Sequence, residues 1–180
     1  MNVRRVVTGH KNGKAVVISD GRTPRSHDFV HLPGMSTALV WSTPPQPSVP
    51  LVSADPIDDK SSWVPPPGQT RLLVVAFPPD SVAMSPGFDG AAAGRENAEF
   101  VPDIAAAIEP DNPGMHTTDT VDYAIVLDGE IWLELDDGKQ VQLRPHDVVI
   151  QNGTRHAWRN KGAQPAKMAF VLIGARRSRE

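Results

Sequence analysis

The stretch from Gly114 to Asn160 decides the fold. It reads GMHTTDTVDYAIVLDG over residues 114–129 and EIWLELDDGKQVQLRPHDVVIQNGTRHAWRN over residues 130–160. Its short apolar runs, separated by turn residues, predict β-hairpins. His116, Asp122 and His156 have the spacing with which two such hairpins would direct three side chains to one metal ion. Two imidazoles and one carboxylate on one face of a metal leave other coordination positions open for chemistry, so we predict a metal site here.

The same residues resemble the cupin superfamily, and in particular its small single-domain members of the cupin_2 type. The first family motif is a glycine, five residues, H-x-H, three or four residues, a glutamate, six residues and a glycine, and the second motif ends in a histidine, three residues and an asparagine. In this chain His116 matches the first histidine, Asp122 the glutamate and Gly129 the last glycine. His156 and Asn160 match the end of the second motif.

Three positions depart from the family pattern. Thr118 replaces the second histidine, Pro145-His146-Asp147 replaces the usual Pro-Gly-Asp, and Gln151 stands where proline is common. A threonine hydroxyl is a weak ligand for a divalent transition metal. The resemblance therefore implies at most three strong metal donors, and Thr118 is a candidate for substrate binding.

The resemblance implies an all-β fold, a cupin barrel (a double-stranded β-helix, jelly-roll-like) with additional N-terminal strands and little helix. Residues 70–174 would form the barrel core, residues 1–69 would add N-terminal strands and a proline-rich loop that extend the barrel, and residues 175–180 would be a basic tail. Composition agrees, because 18 prolines and 14 glycines interrupt helical periodicity while short alternating apolar runs recur.

The pattern along the chain gives further expectations. VRRVVTG and KAVVISD, joined through an Asn-Gly step, predict an opening hairpin. Residues 44–67 predict a long connecting loop, on the surface or used for binding, with an acidic patch at Asp55, Asp58 and Asp59. Residues 81–113 predict an irregular excursion with one weakly helical piece, DIAAAIE. The dense strands from Asp119 onward predict a meander that feeds a closed or nearly closed barrel.

Composition excludes several classes of function. The net charge of −3 comes from mixed charges without a basic stripe, so nucleic acid is not an expected partner. No cysteine is present, which rules out disulfides, thiolate catalysis and sulfur-ligated metals. No apolar run reaches the length of a signal peptide or a membrane span. We expect one domain, no membrane partner and a cytoplasmic location.

Two more side chains are candidates for the wall of the pocket. Trp158 shares a strand face with His156, so its indole would lie beside the metal, with burial in the core as the alternative. Arg71 begins an apolar strand and would hold a substrate carboxylate, with a solvated strand end as the alternative. His10, His27, His31 and His146 have no ligand spacing with one another; we expect them on the surface or in loops.

Three functions remain open at this point. One divalent transition metal, Fe, Mn or Ni, would support oxygenase chemistry, whereas Zn or a similar ion would act as a Lewis acid in decarboxylation, isomerisation or dehydration of a small organic or aromatic acid. In the third, the barrel binds a small ligand or stabilises a partner without catalysis, and the missing second histidine marks a lost activity. The alternative for the triad itself is that its two histidines and its carboxylate are structural. Small cupins commonly dimerise, so the resemblance also implies a homodimer.

Overall fold

The computed structural model describes residues 1–50, 55–58 and 60–178. Asp59 of the predicted acidic patch and the last two residues of the predicted basic tail lie outside the described residues. The strands are β1 (Arg4–Lys11), β2 (Lys14–Arg22), β3 (Arg25–Asp28), β4 (Ser36–Thr43), β5 (Thr70–Phe77), β6 (Thr120–Asp128), β7 (Ile131–Glu134), β8 (Gln140–Leu143), β9 (Val148–Asn152), β10 (Ala157–Arg159) and β11 (Ala166–Gly174), and the helices are α1 (Gly90–Phe100) and α2 (Pro102–Ala107).

The N-terminal hairpin forms where the Asn-Gly step predicted it. Asn12 and Gly13 both have positive φ, 52° and 75°, which matches the right-handed twist of the two strands. β1 and β2 form a sheet of their own, whereas β3 and β4 belong to the large sheet of the barrel.

The barrel is built from two antiparallel sheets, as in a cupin fold. The larger has the order β3-β4-β5-β11-β6-β9, and the smaller has the order β10-β7-β8. The predicted all-β cupin fold is therefore confirmed. The predicted meander is wrong, because β6 pairs with β11 and β9 while β7 lies in the other sheet. The turn at Gly129, where φ is 76°, carries the chain from one sheet to the other.

The core lies between the two sheets and follows from strand alternation. On β6 the side chains of Asp122, Ala124 and Val126 face inward, while Tyr123 and Leu127 are exposed. Burying one large apolar side chain stabilises a fold by about 1.5–3 kcal/mol. The fully or nearly fully buried core includes Leu39, Leu73, Ala124, Val126, Ile131, Leu133, Met168, Phe170 and Leu172.

The predicted connecting loop is partly core. Ile57 and Trp63 are buried within the main apolar cluster. The loop also lies against the end of β11, where a Cβ on Gly174 would come within 2.0 Å of the Pro66 carbonyl oxygen. Only glycine permits this approach, so the expectation of an exposed surface loop is wrong for this part.

The excursion before the barrel is more regular than predicted. DIAAAIE contributes α2, but the longer helix α1 was not predicted. Asp89 caps α1 by accepting a hydrogen bond from the Ala92 amide at 2.9 Å. No helix among the described residues is long and apolar enough to cross a membrane.

A buried carboxylate fastens α1 to the β3–β4 hairpin. Glu96 accepts hydrogen bonds from His27 Nε2 and from the amides of Val30 and His31, each at 2.8 Å. The His27 ring stacks on Phe100 with centroids 3.5 Å apart. The prediction of His27 as a surface or loop residue is therefore wrong, because this ring packs between a strand and a helix.

Candidate functional site

Two of the three predicted ligands lie side by side. The ring centroids of His116 and His156 are 4.3 Å apart, with 50° between the ring planes. Their backbones form an isolated antiparallel bridge, in which the His116 amide donates to the His156 carbonyl at 2.9 Å and the reverse bond is 3.0 Å. This bridge fixes the two imidazoles against each other, although they are far apart in sequence.

Both rings are held in the tautomer that binds metals. Nδ1 of His116 lies 2.9 Å from the Gly114 carbonyl oxygen, and Nδ1 of His156 lies 2.9 Å from the Thr154 carbonyl oxygen. A carbonyl only accepts, so each Nδ1 carries the proton and each Nε2 keeps its lone pair. The same arrangement orients ligand histidines in known metal sites.

Burial keeps the two histidines neutral. It lowers the pKa of His116, against an opposing backbone hydrogen bond to Gly114. It also lowers the pKa of His156 to about 4, with the neighbouring His116 adding to the effect. At neutral pH both rings are free bases.

Asp122 lies on the inward face of β6 and is only 6% exposed. Burial raises the pKa of its carboxyl to about 6, although a hydrogen bond from Thr120 opposes the shift. Its Oδ1 finds no hydrogen-bond partner within the described part of the chain. A buried carboxyl oxygen of this kind is costly unless it meets a proton, a donor or a cation.

The predicted triad is not closed in this structure. Within residues 1–50, 55–58 and 60–178, no three histidine, aspartate or glutamate side chains come together as a group that could hold a metal ion. The structure brings His116 and His156 together and leaves Asp122 outside a three-donor group. The donor chemistry nevertheless fits a divalent cation, since two imidazole lone pairs and an unpartnered carboxyl oxygen are present.

Of the other predicted residues, Trp158 lies beside this pair. Trp158 lies edge-to-face with His156, with centroids 5.6 Å apart, and also contacts Phe170. It thus lies both beside the histidines and against the core. The buried Thr118 hydroxyl shares a 2.8 Å hydrogen bond with the Thr120 hydroxyl.

Arg71 is buried and held by the protein itself. Its Nε donates to the Ser62 carbonyl at 2.8 Å, and its Nη atoms donate to Gln69, Thr70 and the Ser62 hydroxyl. The solvated strand end that we considered as its alternative is wrong. Substrate binding by Arg71 stays a prediction that this geometry does not favour.

Two arginines next to the site were missed by the sequence reasoning. Arg155 binds both carboxylate oxygens of Glu109, at 2.6 and 2.7 Å, and Arg159 donates to the Pro113 carbonyl at 2.7 Å. These bonds attach the end of the excursion to β10, which carries Trp158, and to the residues just before it. The signal was present in the sequence as one arginine directly before His156 and another directly after Trp158.

Comparison with known proteins identifies the site-bearing segment. The Cupin_2 family (Cupin domain) matches residues 107–173. This segment is a cupin domain. It runs from the last residue of α2 to the last but one residue of β11, and contains His116, Asp122 and His156.

The similar proteins match about a third of this chain. The chain is 46% identical over 63 residues to phomopsin biosynthesis cluster protein D of Diaporthe leptostromiformis, covering 34% of this chain and 33% of that protein. It is 36% identical over 62 residues to the cupin-domain-containing oxidoreductase fogC of Aspergillus ruber, covering 33% and 30%. The alignments thus span about a third of these relatives.

One solved structure aligns with nearly the whole chain at low identity. The putative ethanolamine utilization protein Q of Salmonella typhimurium aligns over 98% of this chain and 99% of its own, with a TM-score of 0.43 and 10% identity.

Proposed function

We propose that the cupin domain binds one divalent transition metal through His116, His156 and Asp122 and catalyses a reaction of a small organic or aromatic acid. The observation that carries the proposal is the histidine pair. The buried imidazole of His156 and the half-buried imidazole of His116 are both neutral and packed ring to ring, and each has its Nδ1 occupied by a backbone carbonyl, so each offers an Nε2 lone pair.

The names of similar proteins favour oxidation over the other reactions. One relative is called a cupin-domain-containing oxidoreductase, and another belongs to a biosynthesis cluster. Iron, manganese or nickel would suit that chemistry, and zinc would suit Lewis-acid decarboxylation, isomerisation or dehydration. A bound ion would supply open coordination positions to substrate.

The chain's own residues would hold and orient the substrate. Trp158 offers an apolar ring face or edge beside His156, against which an aromatic or unsaturated acid can pack. Asp122 can hold a proton at its carboxyl below a pH of about 6, the value to which burial raises its pKa. The Thr118 hydroxyl, bonded to Thr120, is a neutral donor or acceptor for a substrate oxygen.

Metal analysis tests this proposal directly. We expect close to one divalent ion per chain in protein purified without a tag, and loss of that ion in His116→Ala and His156→Ala. His10→Ala is the control, because His10 is exposed on the separate N-terminal sheet. Thr118→His should tighten metal binding by adding a fourth strong donor. Wild-type protein that retains no metal under any reconstitution would remove the proposal.

A non-catalytic barrel that binds a small ligand is the second candidate. It is favoured by one observation, namely that no three-donor group forms among the described residues. Oxygen uptake by the metal-loaded protein with a panel of aromatic acids distinguishes the two candidates. Metal retention without turnover of any acid would favour the binding module.

A further inference from the structure

Gln151 is the one inward-facing polar residue of β9. Val148, Ile150 and Asn152 are exposed on the outer face of this strand, whereas Gln151 is only 4% exposed. In the register with β6, Gln151 lies opposite Asp122, and Val149 lies opposite Ala124, which belongs to the core. Strand pairing therefore fixes Gln151 on the face that lines the barrel interior.

The two ends of the Gln151 amide differ in their hydrogen bonding. Its Oε1 accepts a hydrogen bond from the Thr154 hydroxyl at 3.2 Å. Its Nε2 is buried and has no hydrogen-bond partner within the part of the chain that the structure describes. Thr154 thus occupies the carbonyl end and leaves the amino end free as a donor.

The carboxyl group across the strand pair does not satisfy this donor. Asp122 lies directly opposite, and its Oδ1 is itself without a partner among the described residues. The donor and the acceptor are both buried, and the strand pairing does not bring them into a hydrogen bond with each other. Each has lost its hydrogen bonds to water without replacement, which destabilises the fold. Natural proteins keep such local conflicts mainly at functional sites.

We infer that Gln151 is a substrate-recognition residue, whose side-chain N–H binds a carbonyl or carboxylate oxygen of a small ligand inside the barrel. The ligand must offer an acceptor, because the free group of Gln151 is an N–H donor. An unsaturated or aromatic ring suits the site because the Trp158 ring lies beside His156. The inference rests on the proposed binding of a small organic acid, but it does not require the metal.

Nuclear magnetic resonance of ¹⁵N-labelled protein tests the contact with three probes. Acetophenone and α-methylstyrene have the same shape and differ in a carbonyl oxygen against a methylene group, and benzoate adds the charge of a carboxylate. We expect acetophenone and benzoate to shift the side-chain amide signals of Gln151, and α-methylstyrene to leave them in place. Gln151→Met should weaken acetophenone roughly tenfold, and benzoate more, without weakening α-methylstyrene.

Stability provides the second measurement. If the amide is kept for a ligand, Gln151→Met removes an unsatisfied donor and leaves the urea midpoint unchanged or raises it. Gln142→Met is the control, because this glutamine is exposed on β8 and bonded to Glu130. A lower midpoint for Gln151→Met together with unchanged binding of acetophenone and benzoate would make the residue structural and overturn the inference. Absence of any shift at Gln151 with millimolar acetophenone and benzoate would overturn it as well.

Metal content separates this result from the proposed function. If wild-type protein retains no metal but acetophenone still shifts the Gln151 signals, the metal proposal fails and the recognition role stands. If metal is retained and lost in His116→Ala while Gln151 does not respond, the recognition role fails alone.

Discussion

At the scale of single residues, the raised pKa of Asp122 makes metal binding sensitive to pH. Burial raises this pKa to about 6, so below that pH a cation must displace a proton from the carboxyl. We expect the affinity for Ni(II), measured by isothermal titration, to fall about fivefold between pH 6 and 5 as this carboxyl becomes protonated. Burial lowers the pKa of His156 to about 4. Protons therefore compete with the metal ion for this ring only at a lower pH.

The Asp122→Asn variant is the matched test of this assignment. An amide does not titrate, so the variant should bind Ni(II) more weakly at pH 7 and lose the pH dependence between pH 6 and 5. If Asp122→Asn keeps the same slope as the wild-type protein, another group accepts the proton and Asp122 is not the third ligand.

The sequence predicted some of these residues well and others not at all. The motif spacing placed His116 and His156, and the structure brings their rings together. It did not predict that Asp122 would fail to join them in a three-donor group, because that depends on side-chain packing between sheets. From the sequence, Gln151 was only a departure from the family pattern. Its role as a buried donor could not be predicted, because it depends on the strand register that places Gln151 opposite Asp122.

At the scale of elements, the Glu96 contacts should set how firmly α1 is attached. Burial alone would raise the pKa of Glu96, but the hydrogen bonds from Val30, His27 and His31 outweigh it and lower the pKa to about 2. The ionised form therefore stabilises the fold above pH 4.5, and this contribution is lost as the pH falls from 4.5 towards 2. Glu96→Gln should lower the free energy of unfolding at pH 7 by about 1.5–3 kcal/mol.

Urea unfolding at pH 7 and pH 2.5 checks this prediction. The difference between wild type and Glu96→Gln should shrink at the lower pH, because the carboxyl of the unfolded wild-type chain is protonated there and that of the folded chain begins to be. Glu99→Gln, an exposed position on the same helix, should have little effect at either pH. An equal loss from both variants would mean that general helix charge, and not the contact with the β3–β4 hairpin, stabilises α1.

These contacts explain why α1 was not predicted from the sequence. Its segment contains Gly90 and Gly94, which disfavour an isolated helix, and it buries only a narrow face with Ala92, Ala93 and Glu96. The helix is stabilised by a carboxylate that binds residues far away in the chain. Local patterns report local preferences, and a helix supported mainly by tertiary contacts is missed.

At the scale of the whole molecule, strand existence was predictable and strand order was not. The β-strands from Thr120 to Gly174 form almost where the alternating runs indicated. The same runs are equally consistent with a meander, because periodicity specifies which face of a strand is buried but not which strand pairs with it. Only the cupin resemblance pointed to a jelly-roll-like order.

That order leaves β9 at the edge of the six-stranded sheet, paired on one side by β6 among the described strands. Its sequence, VVIQN, carries no charge and no proline, which are the usual protections of an open edge. Val148 and Ile150 are 57% and 51% exposed on its outer face, next to Ile125 and Tyr123 on β6. We propose that a second copy of this chain covers the edge, with two β9 strands antiparallel about a two-fold axis.

The edge-strand dimer predicts a specific response to charge. Ile150→Lys should shift the protein from dimer to monomer in sedimentation velocity at micromolar concentration, because two lysines would meet near the two-fold axis and the edge would lose apolar contact. Val141→Lys is the matched control, since Val141 is also exposed but lies on β8 in the smaller sheet. A wild-type monomer removes the proposal outright. A dimer that survives Ile150→Lys but dissociates with Val141→Lys would place the interface on the smaller sheet. The β9 edge of the larger sheet would then stay open to solvent.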